Sequence, residues 1–230
     1  DELIDYQDYF LPAAKNFTRN RRSLGIGITN FAAYLAKNGA KYDDEEAPNI
    51  ASNLMEKVQY YLLLSSVSLA KEKGKCPKFH ETKYSNGWLP IDTYKKEIDE
   101  FVTVKPYMDW DHLREEIKKY GLRHSTVSAI MPCESSSVIQ SSTNGIEPIR
   151  SYITYKKSKA RTLPVIVPNY HHYKNKYTLA YDMEDNTGLI KVVGALQKWV
   201  DMSISANLYY NYAHYEKGAL PDAKVIKELL

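Results

Sequence analysis

Residues 131–148 read MPCESSSVIQSSTNGIEP. A proline is followed by a cysteine, a glutamate and three serines in a row. Three more hydroxyl residues come soon after, and the stretch closes on Asn-Gly. An apolar segment that ends at Pro132 and runs into a serine-rich helix start makes a sensible anion site. The first N–H groups of a helix have no internal acceptor, the helix dipole adds partial positive charge there, and serine hydroxyls add donors. Phosphate is the natural guest. A plain N-cap and solvated loop uses the same residues and is the commoner use of serine at a helix start. Glu134 would repel phosphate, so backbone amides would do the holding while its carboxylate faces a hydroxyl or the loop. Cys133 would sit beside the helix start, where a thiol's pKa can fall. A small, partly buried polar residue is the plainer reading of it, and no histidine lies nearby in sequence to serve as a base.

Three other groupings bear on chemistry. Tyrosine is frequent, with 20 residues, and Tyr60-Tyr61 and Tyr209-Tyr210 are adjacent pairs. Neighbours on a helix point their rings apart, so core packing with a polar rim is expected of them. His171 and His172 lack acidic or cysteine partners at ligand spacing, and a surface position is expected. The basic run KKSKAR at residues 156–161 reads as a charged hairpin tip.

Composition narrows the classes. The chain has 230 residues, 43% hydrophobic and 26% charged, enough for one sizeable globular domain. A net charge of +3, with both signs mixed along the chain, does not argue for nucleic acid. No apolar run reaches membrane-spanning length, and no charged-then-apolar leader opens the chain. Cys76 and Cys133 cannot alone build a disulfide framework or a four-ligand zinc site, and a reducing cytoplasm fits. The chain opens without methionine and stops on VIKELL, which reads as helix, so it is expected to be part of a longer protein.

The elements that position these residues follow from periodicity. Residues 1–22 read as a loop-rich entry. Residues 24–37 read as a helix, with Leu24, Ile28, Phe31 and Leu35 in register. A longer helix is expected from a cap at Asn49 to Gly74, its stripe formed by Ile50, Leu54, Val58, Tyr61, Leu62 and Leu69. A shorter one is expected over about 92–101. Asp109 should cap another over 110–120 that ends at Gly121. Residues 125–131 read as a short strand, and SYITY and TLPVIVP as two more joined by the basic turn. Residues 187–206 read as an amphipathic helix carrying Leu189, Val192, Val193, Leu196, Val200 and Ile204. Helices with interspersed strands make the class α/β.

At Trp110 the residues reach a known pattern. WDHLREEIKKYGLRHSTVSAIMP carries Trp110, Leu113, Gly121, Leu122, His124, Ser128, Ala129 and Pro132. This resembles the signature of the ribonucleotide reductase large subunit, in the aerobic, diiron-radical (class I) type of bacteria and phages. The resemblance continues through MPCESSSVIQSSTNGIEPIRSYI. It extends back over NRRSLGIGITNFAAYLAKNGAKY, QYYLL and LPIDTYKK, and forward over VIVPNY and GLIKVVGALQKWVDMSISAN, covering almost the whole chain.

The resemblance implies an α/β fold in which residues 1–230 supply the C-terminal part of a ten-stranded α/β barrel, incomplete without an N-terminal polypeptide. The enzyme it implies reduces ribonucleoside diphosphates to their 2′-deoxy forms. A thiyl radical takes the 3′ hydrogen, and two further cysteines become a disulfide as the 2′ oxygen leaves as water. The family's diphosphate-binding segment falls on Pro132, Cys133, Glu134, Ser135 and Ser136, with Cys133 where serine or threonine is usual. The family's Asn-x-Cys-x-Glu loop, its redox cysteines and its later tyrosine relay pair have no counterpart in these residues. No catalytic residue and no metal ligand is therefore expected here, and this part is expected to bind no cofactor and to be inactive alone. The implied partners are the complementary N-terminal part of the large subunit and the radical-generating small subunit, which carries a diiron–tyrosyl radical. A thioredoxin- or glutaredoxin-type reductant and nucleotide effectors bound on the N-terminal part complete the set. No nucleic acid and no membrane is implied. The competing reading is a non-catalytic nucleotide- or phosphate-binding module.

Overall fold

The structure, a computed structural model, describes residues 1–157 and 162–211. Nine α-helices run in chain order among them: α1 Glu2–Tyr6, α2 Pro12–Arg21, α3 Phe31–Lys37, α4 Ala47–Lys73, α5 Pro90–Thr93, α6 Trp110–Tyr120, α7 Glu134–Ile139, α8 Tyr170–Tyr173 and α9 Thr187–Gln197. Two strands, β1 Ile153–Lys157 and β2 Thr162–Ile166, pair antiparallel with Ile153 opposite Ile166. Isolated parallel bridges join Ile26 to Ser128 and Ile149 to Leu179. Helices with interspersed strands bear out the α/β class. No helix among the described residues is long and apolar enough to cross a membrane. The tip of the basic turn, residues 158–161, and the helix expected at the C-terminus lie outside the described residues.

The chain divides into two compact units interleaved in sequence. The first holds residues 1–27, 52–130 and 196–204. Its core gathers around α4 and α6. Trp110 and Trp199 stack with ring centroids 5.4 Å apart and planes 15° apart, and Tyr60 meets Trp110 edge-on. Asp109 caps α6 by accepting from the His112 N–H, and Leu113 and Ile117 are buried, as the spacing predicts; Gly121 ends the helix at φ 74° and ψ −171°, a backbone suited to glycine but not the left-handed helical turn expected there. Cys76 is buried, and burial pushes its thiol up, the state of an unreactive cysteine.

The buried face of α4 differs from the apolar stripe expected of it. The fully buried positions are Ala47, Ala51, Ser52, Met55, Glu56, Gln59, Leu63, Ser66 and Val67, whereas Tyr61 is exposed and Ile50, Leu54, Val58, Leu62 and Leu69 flank the core. Four of these positions are polar, and each makes at least one hydrogen bond within this unit, although Gln59 Oε1 has no partner. Ser52 Oγ accepts from Trp199 Nε1 at 2.9 Å. Glu56 Oε1 accepts from the Tyr107 and Met108 N–H groups and from Trp110 Nε1, each at 3.0 Å. Gln59 donates to Asp201 at 2.9 Å, and Ser66 meets His124 Nδ1 at 3.0 Å. A search for apolar periodicity passes over such a face, because it reads buried polar groups as solvent-facing.

Six further expectations are corrected. Residues 1–22 are not loop but hold α1 and α2. Pro12 starts α2, where a missing N–H costs nothing, and α2 buries no residue, so it has no stripe to detect. Only Phe31–Lys37 of the 24–37 stretch is helical. Leu24 and Ile26 donate instead to the Thr126 and Val127 carbonyls, and Asn30 turns left-handed at φ 67° just before α3. Residues 125–131 form a single bridge rather than a strand, and 92–101 holds the end of α5 and a 3-10 turn, Lys96–Glu100. The last helix ends at Gln197, not 206. Gln197 accepts from the Ile204 N–H at 2.7 Å and donates to the Val200 and Met202 carbonyls, closing the chain back on the helix end. The cap expected at Asn49 is also displaced, since α4 starts two residues earlier with Pro48 in its first turn.

Candidate functional site

The second unit holds residues 28–51, 131–195 and the stretch from 205. It contains the serine loop. Helix α7 starts at Glu134 with Cys133 as its N-cap, so the helix start expected after Pro132 is present. No side chain closes its cap. Both donors of Cys133 are spent inside the loop. Its N–H donates to Asn144 Oδ1 at 2.8 Å and its thiol to the Met131 carbonyl at 3.1 Å. The Ser137 N–H already reaches the Cys133 carbonyl at 2.8 Å, and the Ser137 hydroxyl is turned back onto the Glu134 carbonyl at 3.0 Å. The hydroxyls left facing outward at the helix start are those of Ser135 and Ser136, both exposed, beside exposed Pro132 and Glu134.

The far end of the loop is tied as firmly. The Ser142 N–H and hydroxyl both donate to the Ser137 carbonyl, at 2.8 and 3.2 Å. Asn30 exchanges a pair of bonds with Thr143: the Thr143 N–H donates to Asn30 Oδ1 at 3.0 Å, and the Asn30 N–H to the Thr143 carbonyl at 2.9 Å. Phe31 N–H donates to the Gly145 carbonyl at 3.2 Å. Asparagine tolerates the left-handed backbone better than most residues, which is why Asn30 can start α3 and still hold the loop.

Behind the loop lies a cavity of about 250 Å³, lined among others by Glu134, Ser137, Thr143, Asn144, Glu147 and Arg150. Glu147 accepts from Asn207 Nδ2 at 2.5 Å and from the Tyr209 hydroxyl at 2.8 Å. Burial first, and then this bond to Glu147, push the Tyr209 phenol up, so it stays a protonated donor at neutral pH. Tyr209 is buried with Tyr181 edge-on at 5.6 Å, and Asn186 holds its backbone N–H and carbonyl. It is packed core with a satisfied hydroxyl. His171 and His172 lie exposed on α8, in keeping with a surface position.

Pro132 to Ser136 are thus consecutive at one helix start, where the sequence puts them. Sequence reasoning missed Asn30, Asn144 and Glu147. Asn144-Gly145 was visible as a turn signal, but its partner eleven residues upstream was not.

The family model "Ribonucleotide reductase, barrel domain" matches residues 1–221. The chain belongs to the ribonucleotide reductase barrel-domain family. It is 50% identical over 227 residues to the ribonucleoside-diphosphate reductase 1 subunit alpha of Salmonella typhimurium, covering 99% of this chain and 30% of that protein. The same identity and coverage hold for the subunit of that name from Escherichia coli. The ribonucleoside-diphosphate reductase subunit alpha of Enterobacteria phage T4 is 42% identical over 232 residues, covering all of this chain and again 30% of the relative. The resemblance carried by the Trp110-to-Pro132 pattern is therefore borne out, with relatives from bacteria and a phage. The chain spans about 30% of the length of the curated relatives it matches.

Proposed function

We propose that this chain is the part of a ribonucleoside-diphosphate reductase large subunit that receives the substrate's diphosphate, and that it works only inside a larger assembly. The observation that carries the reading is the match to alpha subunits over the whole chain, at 50% identity, with the serine loop folded as a helix start inside it. Pro132, Cys133, Glu134, Ser135 and Ser136 form the proposed substrate-binding segment. Within it the roles divide. Ser135 and Ser136 offer hydroxyls and first-turn N–H groups to phosphate oxygens. Pro132 sets the approach of the chain, and Cys133 serves as the N-cap whose own donors are spent on the loop. Glu134 starts the helix, where a carboxylate is favoured by the dipole, and it lines the cavity behind the loop.

The proposed partners are the complementary N-terminal part of the large subunit and a radical-generating small subunit in the same compartment, the cytoplasm. The radical, the external reductant and the nucleotide effectors are supplied by those other parts. The loop's task is to fix the charged end of the substrate, so that binding energy remote from the reacting carbon holds it in place.

The test is reconstitution. This chain mixed with the small subunit alone should give no deoxyribonucleoside diphosphate, and adding the complementary polypeptide should restore turnover. Calorimetry with a ribonucleoside diphosphate should show binding that requires that polypeptide. Turnover without it would overturn the proposal. Equally tight binding by the isolated chain, with no turnover in any mixture, would favour a stand-alone phosphate-binding module.

A further inference from the structure

From the cross-ties at the neck of the serine loop we infer that Asn144 is a positioning residue for substrate binding, acting through the peptide unit of Cys133; this rests on the reading of residues 132–136 as the diphosphate site. The geometry is a relay of two asparagines. Asn30, at the start of α3, holds Thr143 by two reciprocal hydrogen bonds, 2.9 and 3.0 Å long. The next residue, Asn144, extends its Oδ1 to the Cys133 N–H at 2.8 Å. Cys133 is the N-cap of α7, and its carbonyl accepts the Ser137 N–H at 2.8 Å. The N-cap is therefore tied on both sides, and its neighbouring peptide planes, from which the first turn starts, cannot swing.

This matters because α7 has only six residues. A helix that short does not hold itself together, since nucleation costs more than its few internal bonds return. Its first-turn N–H groups keep their directions only if something outside the helix fixes them. The Cys133 side chain makes no cap bond and turns to the Met131 carbonyl instead. Asn144 supplies an outside tie of another kind, accepting the N–H of the cap residue itself. It also withdraws the Cys133 N–H from any ligand, so the donors aimed at a phosphate begin one residue later. Preorganised donors bind an anion more tightly than donors that must be ordered on binding, because the ordering entropy is spent before the ligand arrives.

The experiment uses the reconstituted holoenzyme. Asn144→Ala should raise KM for the ribonucleoside diphosphate about tenfold while kcat stays within about twofold, the pattern of lost uniform binding. Hydrogen–deuterium exchange at the Cys133 amide should speed up in that variant. Asn144→Asp keeps an oxygen facing that N–H and should restore its protection, which a merely space-filling role would not require. A wild-type KM in Asn144→Ala would overturn the inference, as would a fall in kcat and melting temperature with KM unmoved. Exchange at residues 134–136 keeps the two readings apart. If substrate fails to slow it in the wild-type holoenzyme, the diphosphate site itself is misplaced. If substrate slows it there and Asn144→Ala behaves as wild type, only the role of Asn144 falls.

Discussion

Asp201→Ala is expected to cost about 4 kcal/mol of folding stability, one of the two largest effects predicted for this chain. The Asp201 carboxylate accepts from the Val127 N–H at 2.6 Å, the Ser128 N–H at 3.2 Å and Gln59 at 2.9 Å, and it also takes the Tyr84 hydroxyl. Ser128 Oγ in turn accepts the Asp201 N–H at 3.0 Å. Removing the carboxylate leaves the Val127 and Ser128 N–H groups and the Tyr84 hydroxyl without an acceptor, and leaves Gln59 only a long bond of 3.4 Å to that hydroxyl. Each such loss costs on the order of 1–3 kcal/mol, less what a water entering the vacated space can recover. Relief from burying a charge offsets part of the loss, because burial is strong enough to push the Asp201 carboxyl above its ordinary range despite those hydrogen bonds. Asp201→Asn, which keeps one acceptor oxygen but turns an amide toward donors, should fall between Ala and wild type.

The pH dependence has a definite sign. A carboxyl whose folded pKa lies above its unfolded value binds its proton more tightly when folded. Its contribution is full below the ordinary carboxylate range and is lost as pH rises through the raised folded value. The stability gap between wild type and Asp201→Asn should therefore narrow as pH rises through that window. Urea denaturation of both proteins across mildly acidic to neutral pH measures it. An Asp201→Ala cost below about 1 kcal/mol would mean these donors find other partners and the network is incidental.

Gly188→Ala is expected to destabilise the second unit by about 3 kcal/mol, and here two rules disagree in sign. Gly188 lies in the first turns of α9, and alanine is the better helix former by roughly 1 kcal/mol, so propensity alone predicts a gain. The surroundings decide otherwise. A Cβ on Gly188 would fall 2.5 Å from the Tyr42 carbonyl oxygen, 2.6 Å from Asp43 Oδ1 and 2.8 Å from Asp43 Cα. The Asp43 carboxylate can swing aside, but the Tyr42 and Asp43 backbone cannot. Tyr42 is itself fastened, its N–H to Thr178 Oγ1 at 3.1 Å and its hydroxyl to the Ile146 carbonyl at 2.6 Å. Either α9 must lift or the Tyr42 segment must shift, and overpacking of this kind costs about 1–3 kcal/mol or more. Thermal melting of the variant decides between the rules, and a melting temperature at or above wild type would show the contact to be soft.

The elements that were legible in the sequence are those whose signals are local. The cap at Asp109, the buried pair Leu113 and Ile117, the stop at Gly121, the hairpin strands and the helix start after Pro132 all follow from residues within a few positions of one another. The family, too, was written in the Trp110-to-Pro132 pattern, because that spacing is specific enough to stand alone. What escaped depends on partners far along the chain. The buried face of α4 carries Ser52, Glu56, Gln59 and Ser66 because Trp199, Asp201, Trp110 and His124 bring donors and acceptors to it, up to 147 residues away. The last helix stops at Gln197 because its side chain can serve the Ile204, Val200 and Met202 backbone once the chain turns back.

The serine loop divides in the same way. Its residue types and its helix start were set by the sequence alone, since a proline, a cap position and a run of hydroxyls act through bonds to their near neighbours. Which donors remain for an anion was decided only by tertiary structure. Asn144 takes the Cys133 amide, Met131 takes its thiol, and Asn30 anchors the far end from 113 residues away. The physical reason is that an N–H is spent on the acceptor that the fold holds within reach of it, and distance along the chain does not reveal which acceptor that is.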